Sequence, residues 1–386
     1  MRSYFRTHYL FYTFFLFYGA NCYAGIELLN TPSSISHLAP KSIITSLVKI
    51  SNSHVLAVGE RGHILNWQSP NKYQQEISPV SLLLTDVIIL SNGTRLVVGH
   101  DGVIISAKEN STTWVKLFDG FKLTKLKIAA MEKRIILFKK NIETLTDDDA
   151  LEEAGYALED LEFSLEDTVA TMISGPTLPL LSVTQTKNGN IIAVGAYGTL
   201  LKSNDLGKTW QLLDHTLNNP DKYHLNSITT DDNNTTYIAG EHGTVYKSIN
   251  NGLTWKSINV PYNGSLFGIL NQKGTNNLIA FGLKGNYFIS TDQGDHWQHF
   301  VSPNKATLLG GFIKDSGDAI LVGHGGSIVK LNINTPEKST LTKHASGAAF
   351  SAVTVINDQL ILAGQFGIFS LNDFSQDQDS NKGASH

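Results

Sequence analysis

The sequence predicts an all-β chain: a seven-bladed β-propeller with its N-terminal strand closing the last blade and a helical insertion between blades 2 and 3. Three observations carry this. A G-x-x-G pair occurs seven times, at Gly59/Gly62, Gly99/Gly102, Gly195/Gly198, Gly240/Gly243, Gly282/Gly285, Gly323/Gly326 and Gly364/Gly367. The first glycines are 40, 96, 45, 42, 41 and 41 residues apart, and a unit of about 40 residues with several strands has the length of a propeller blade. A box of the form S-x-[DN]-x-G-x-x-W then follows the glycine pair at Ser203–Trp210, Ser248–Trp255 and Ser290–Trp297, and in a looser form at Ser106–Trp114.

Ile191–Trp210 shows the unit in full. Two apolar runs joined by two residues between glycines read as a hairpin, the glycines supplying the positive φ of a tight turn. In the box, a short Asp or Asn side chain can bond backbone amides two residues on, and Gly takes the tight position. Ser203, Asp205, Gly207 and Trp210, with Ser248, Asn250, Gly252, Trp255, Ser290, Asp292, Gly294 and Trp297, are therefore read as structural clamps of the Asp-box type. The Trp is expected to start the outermost strand and cover the hairpin.

Together with GERGHIL (59–65), GHDGVI (99–104), HLNSI (224–228), PYNGSLFG (261–268) and FGLKGNYFIS (281–290), these boxes resemble the BNR/Asp-box propellers. The chain is similar to the photosystem II stability/assembly factor family and its non-photosynthetic bacterial relatives. The resemblance implies a non-enzymatic assembly or stability factor that binds a membrane-protein partner on one face. Photosynthetic members carry an arginine-rich patch. After residue 24 this chain has only Arg61, Arg95 and Arg134, so the expected client is another membrane protein or envelope complex, a transporter being one such complex.

Taken in order, residues 1–24 read as a signal peptide: Arg2 and Arg6, an apolar run from Leu10 to Ala20, and a small residue, Ala24, before the cleavage point. The apolar run is short for a membrane span. Export would place the protein in the periplasm. The only cysteine, Cys22, leaves with the peptide, so packing rather than disulfides must hold the fold. Removing two arginines from 30 basic residues leaves 28 against 34 acids, a formal charge of −6, which argues against nucleic acid. The propeller is assigned to 25–373. Ile26–Asn30 is expected to supply the fourth strand of blade 7. Blade 1 spans 43–77 and blade 2 spans 82–117. Blades 3 to 6 start at Leu180, Leu225, Leu266 and Leu308, and 374–386 is a polar tail.

The 96-residue gap holds residues 121–175. From Leu151 to Met172 the apolar residues recur at steps of three and four, an amphipathic helix, with Thr146 and Asp149 placed as a capping box. Residues 121–145 are suited to a second helix. Residues 121–140 carry seven basic side chains against Glu132, and 141–167 carry eleven acids and no base, a charge separation that favours antiparallel docking.

Propeller topology places the G-x-x-G tips, the links between blades and the insertion on one face. The tips bring Glu60, Arg61, His100, Asp101, Tyr197, Glu241, His242, Lys284, His324 and Phe366 around the central opening. The links add Tyr223, His224, Asn226, Tyr262 and Phe267. Loops on a rigid scaffold that carry aromatic, His and charged side chains suit a protein-binding rim. A metal site from His100, Asp101, Glu241, His242 and His324 is the lesser reading, because no ligand spacing is present. Sialidase-like hydrolysis needs an arginine triad that three scattered arginines cannot supply. No G-x-S-x-G elbow, P-loop or dinucleotide fingerprint occurs. The expectation is a monomeric binding protein with no catalytic residues, no cofactor and no small-molecule substrate.

Overall fold

The computed structural model describes residues 24–371. Residues 1–23, within the segment read from sequence as a signal peptide, and residues 372–386, which include the polar tail, lie outside the described residues. Seven antiparallel sheets follow one another along the chain, and each pairs its strands in chain order. Their innermost strands are Ile44–Ser51, Leu84–Ile89, Leu180–Gln185, Leu225–Thr230, Leu266–Asn271, Leu308–Ile313 and Phe350–Ile356. The second strand of every sheet is buried on both faces, as in Ile191–Gly195 and Leu278–Gly282, which explains their unbroken apolar sequence. Apolar clusters fill every seam between neighbouring blades.

A register irregularity recurs at the second residue of each innermost strand: Thr45, Thr85, Leu181, Asn226, Phe267, Leu309 and Ser351. Where that residue is polar, it reaches the carbonyl opening the next blade's innermost strand. Thr45 Oγ1 donates to Leu84 O at 2.5 Å and Thr85 Oγ1 to Leu180 O at 2.7 Å. Asn226 Nδ2 donates to Leu266 O at 2.8 Å, and Ser351 Oγ to Ile44 O at 2.8 Å. One residue further on, Asp86 is half-buried at the junction of three blades. Its carboxylate accepts from Ser46 Oγ, Ser182 Oγ and the amides of Val87 and Val183 at 2.8–3.0 Å, tying blades 1, 2 and 3 together. Burial raises its pKa against the pull of those bonds.

Ring closure differs from the expectation. Ile26–Asn30 is not a strand: Ala24–Asn30 is a short helix, α1. Leu29 is buried in the seam between blades 1 and 2, and Ser81 N donates to Leu28 O at 3.0 Å. The chain then runs outside blade 1, where Ser33 and Ser78 exchange bonds and Gln75 holds residues 34 and 36. The run IELLN suits helix as well as strand, and burying Leu29 decides for helix. Among the described residues blade 7 has three strands. It meets blade 1 through side chains (Ile356 and Ile361 against Val55 and Trp67), through Ser351, and through a backbone bond from Asn357 N to Asn52 O at 2.9 Å.

The boxes form closed hydrogen-bonded turns. Ser203 Oγ accepts from Gly207 N and donates to Asp205 Oδ1. Asp205 accepts from Thr209 N and Oγ1, and Trp210 Nε1 donates to Gly207 O. The bonds from Thr209 hold the Asp205 carboxyl down at about 2. Trp210 lies in the seam with the preceding blade, 6.1 Å from Phe118, in one cluster with Ile191 and Leu201 of its own hairpin. The loose box of blade 2 is built differently. Arg95 pairs with Glu76 of blade 1 at 2.9 Å and donates to Ser111 O. Trp114 Nε1 donates to Glu76 at 2.7 Å, and its ring lies under the guanidinium at 4.9 Å.

The insertion is a helical hairpin, α2 (Gly120–Ile142) and α3 (Asp148–Ser174). Asp119 caps α2. Asp147, not the Thr146/Asp149 pair, caps α3 by accepting from Ala150 N at 2.9 Å. Lys139 and Glu162 pair between the helices at 2.6 Å. Leu123 and Leu126 seat the start of α2 on blades 2 and 3. No helix among the described residues is long and apolar enough to cross a membrane.

Candidate functional site

The tips are built by one backbone device. The first glycine is extended, with φ of −169 to −174° at Gly59, Gly99, Gly195, Gly282 and Gly323 and −152° at Gly240. It is required by close approach, because a Cβ there would strike the carbonyl preceding the innermost strand. The expected positive φ falls instead on the second glycine and on the residue before it. Arg61, Asp101, Tyr197, His242 and Lys284 all have φ of 54–56°. That conformation costs a side-chain-bearing residue about 1 kcal/mol or more. Its repetition at five tips marks it as a property of the turn rather than of any one site. The first tip residue donates its amide to the start of its own blade, as Glu241 N does to His224 O at 3.0 Å. Tips and links therefore share a face, and the root of α2 lies on it too, against the blade 2 tip.

The fifteen expected rim residues divide by what they touch. Several are occupied within the fold. Glu60 and Glu241 accept from the amides of Ile43 and His224 at 3.1 and 2.8 Å. Asn226 joins blade 4 to blade 5. Phe267 holds the same irregular position in blade 5. Tyr262 donates to Leu283 O at 3.1 Å and packs on Phe288. Asp101 is buried, since the insertion root at Gly120 lies on its backbone, so it does not join the open rim; His100 beside it is half-buried. Arg61, Tyr197, His242, Lys284, His324 and Phe366 are exposed.

Two groups gather on this face. Across blades 3 and 4, Tyr197 meets His224 edge-on at 4.8 Å and Tyr223 stacks on His242 at 5.2 Å. Glu241 lies 3.9 Å from His224 Nδ1. Across blades 6, 7 and 1 a shallow cavity of about 560 Å³ opens at the central mouth, with His324, Leu309, Ser351 and Thr45 among its walls and glycines 325, 347 and 364 widening it. Sequence reasoning missed the cavity; the signal was the small residues clustered at the start of blade 7. Among the described residues no three His, Cys, Asp or Glu side chains are grouped to hold a metal ion, so the five residues of the metal reading do not converge.

Burial pushes the Asp101 carboxyl up to about 6. A carboxyl raised in the folded state holds its proton where the unfolded chain has lost it, so stability rises as pH falls from about 7 to about 4. The contribution is up to about 3 kcal/mol. Burial lowers the pKa of His63 and His100, which act in the opposite sense near pH 6. The test is therefore a difference. Asp101→Asn is expected to be more stable than the parent at pH 7.5, with the gap closing towards pH 4, as read by denaturant unfolding across that range.

Compared with known proteins, residues 172–363 match the family described as Photosynthesis system II assembly factor YCF48. No curated protein matches the chain. Among solved structures, YCF48 bound to D1 peptide is similar at TM-score 0.56 and 13% identity, covering 89% of this chain and 97% of that one. YCF48 from Cyanidioschyzon merolae gives 0.56 and 13%, covering 88% and 97%. The WD40 beta propeller domain of Doa1 gives 0.58 and 10%, covering 89% and 95%. At such identities the structures speak for the fold, and the sequence match speaks for the lineage. The chain belongs to the photosystem II assembly factor-like family of β-propellers.

Proposed function

We propose that this protein is a non-enzymatic, exported assembly factor that binds a segment of a membrane protein or envelope complex on its tip face. The observation that carries the reading is the aromatic and histidine group in which exposed Tyr197 and His242 pack on half-buried His224 and Tyr223, with Phe366 also exposed on this face. Large apolar side chains held in water on rigid turns are the anchors expected of a docking rim. The similar structure of YCF48 bound to D1 peptide supports a membrane-protein segment as the kind of ligand. The cavity at the mouth lies within the range that binding clefts occupy, about 300–1,000 Å³. Export after cleavage behind Ala24, and hence a periplasmic site of action, rests on the N-terminal sequence alone.

Crosslinking capture from envelope membranes with the purified protein tests the proposal. The triple variant Tyr197→Ala, His242→Ala, Phe366→Ala is expected to lose at least about 90% of the captured client. Loss of three anchors of about 1–2 kcal/mol each implies that and more. Capture undiminished by the three changes would remove this face from consideration.

A further inference from the structure

The proposed rim makes no use of the helical hairpin, and the hairpin carries an unusual surface. α3 has no buried residue over its 27 positions. Beyond its first turns α2 has one, Ile135. Helices this solvated are ordinarily polar on the side away from their partner. Here Ile136 and Leu137 on α2 and Tyr156, Phe163, Val169 and Ile173 on α3 are 46–73% exposed.

Charge sorts these side chains into two complementary sets. Tyr156 and Phe163 stand one heptad apart, about 10 Å along one line of α3, and Glu159, Asp160, Glu166 and Asp167 flank that line by helical spacing. On α2, Ile136 and Leu137 sit among Lys133, Arg134, Lys139 and Lys140. The aromatic helix is acidic and the aliphatic helix is basic, on one molecule.

We propose that the hairpin is a self-association surface, on which α2 of one copy packs along α3 of a second to form a four-helix bundle. The occupant is a second copy because the matching surface is present in the chain itself. A two-fold axis satisfies both α2–α3 pairings at once and closes the assembly without propagating it. Pairing α3 with α3 would oppose acids and is disfavoured. The Lys139–Glu162 pair shows the same match within one copy. Leu123 and Leu126, in the first turns of α2, hold each hairpin to its own blades, while Ile136 and Leu137 lie near the far end of the helix. This dimer replaces the monomer expected from sequence and is independent of the tip face.

Sedimentation velocity on the purified protein from about 1 to about 100 µM tests it. Dimer is expected at about 50 mM salt, and association about tenfold looser at about 500 mM, because salt screens the opposed charges. Glu159→Lys with Glu166→Lys should be monomeric, as should Lys133→Glu with Lys140→Glu, while an equimolar mixture of the two should regain the dimer. Circular dichroism melting of each variant establishes that the hairpin remains folded. A parent chain that is monomeric throughout, or a dimer unmoved by these changes, overturns the proposal and leaves the face to a basic segment of another protein.

Discussion

Arg95→Ala is expected to destabilise the protein by about 3–5 kcal/mol, because it strands the buried Glu76 carboxylate without its counter-charge. Both side chains are less than a tenth exposed. The same change removes the cation from the Trp114 face and frees the Ser111 carbonyl. Trp114 Nε1 would remain the carboxylate's donor at 2.7 Å, and one neutral donor cannot replace an ion pair. Blade 1 and blade 2 meet at this point, so the seam between them should loosen first. Thermal unfolding checks the size, with a fall in midpoint of about 5–10 °C. The paired change Glu76→Leu, Arg95→Met should cost less than Arg95→Ala alone, since exchanging a buried pair for apolar groups of similar volume is often near neutral.

Gly243→Ala is expected to cost about 2–5 kcal/mol. Two separate penalties add there. Gly243 has φ of 68°, and a Cβ would run into the carbonyl oxygen of Tyr262. The first costs an L-residue about 1–2 kcal/mol, and forcing backbone apart adds about 1–3 kcal/mol. Gly274→Ala is the control: its φ is 73°, and a Cβ there meets nothing within 4 Å. It should cost only about 1 kcal/mol. Denaturant midpoints of the two variants separate conformational strain from close approach. Equal losses would show that the link at Tyr262 yields, and that the tip is held less firmly than its geometry implies.

The ring was legible in the sequence because each blade repeats a feature that physics enforces. The glycine pair recurs seven times because a Cβ at the first position strikes the carbonyl before the innermost strand, and at the second a positive φ is combined with another close approach. α3 was legible from its 3.6 period, whereas the stretch that forms α2 has mixed periodicity; α2 starts at Gly120, one residue before the expected 121. What could not be read were contacts between side chains distant in the chain. Nothing local tells that Glu76 faces Arg95, or that Asp86 gathers Ser46 and Ser182. A faint signal existed: aligned repeats show Ile44-Thr45-Ser46, Leu84-Thr85-Asp86, Leu225-Asn226-Ser227 and Phe350-Ser351-Ala352, polar at one fixed offset. Asn226 was taken for a rim residue for want of that alignment. The N-terminal segment misled because five residues containing two adjacent leucines fit either regular structure. Asp101 misled because nothing in a turn's sequence reveals that a remote insertion will sit on it.

The meeting of blade 7 with blade 1 has a consequence for biogenesis. Ser351 and Ile44, which join there, are 307 residues apart, so the first sheet to emerge must wait for nearly the entire polypeptide before its partner exists. During that interval Val55 and the large ring of Trp67 lack the cover of Ile356 and Ile361. A newly made chain would thus be sticky at its leading edge until synthesis finishes, and a holding chaperone acting on residues 44–69 would shorten the hazard.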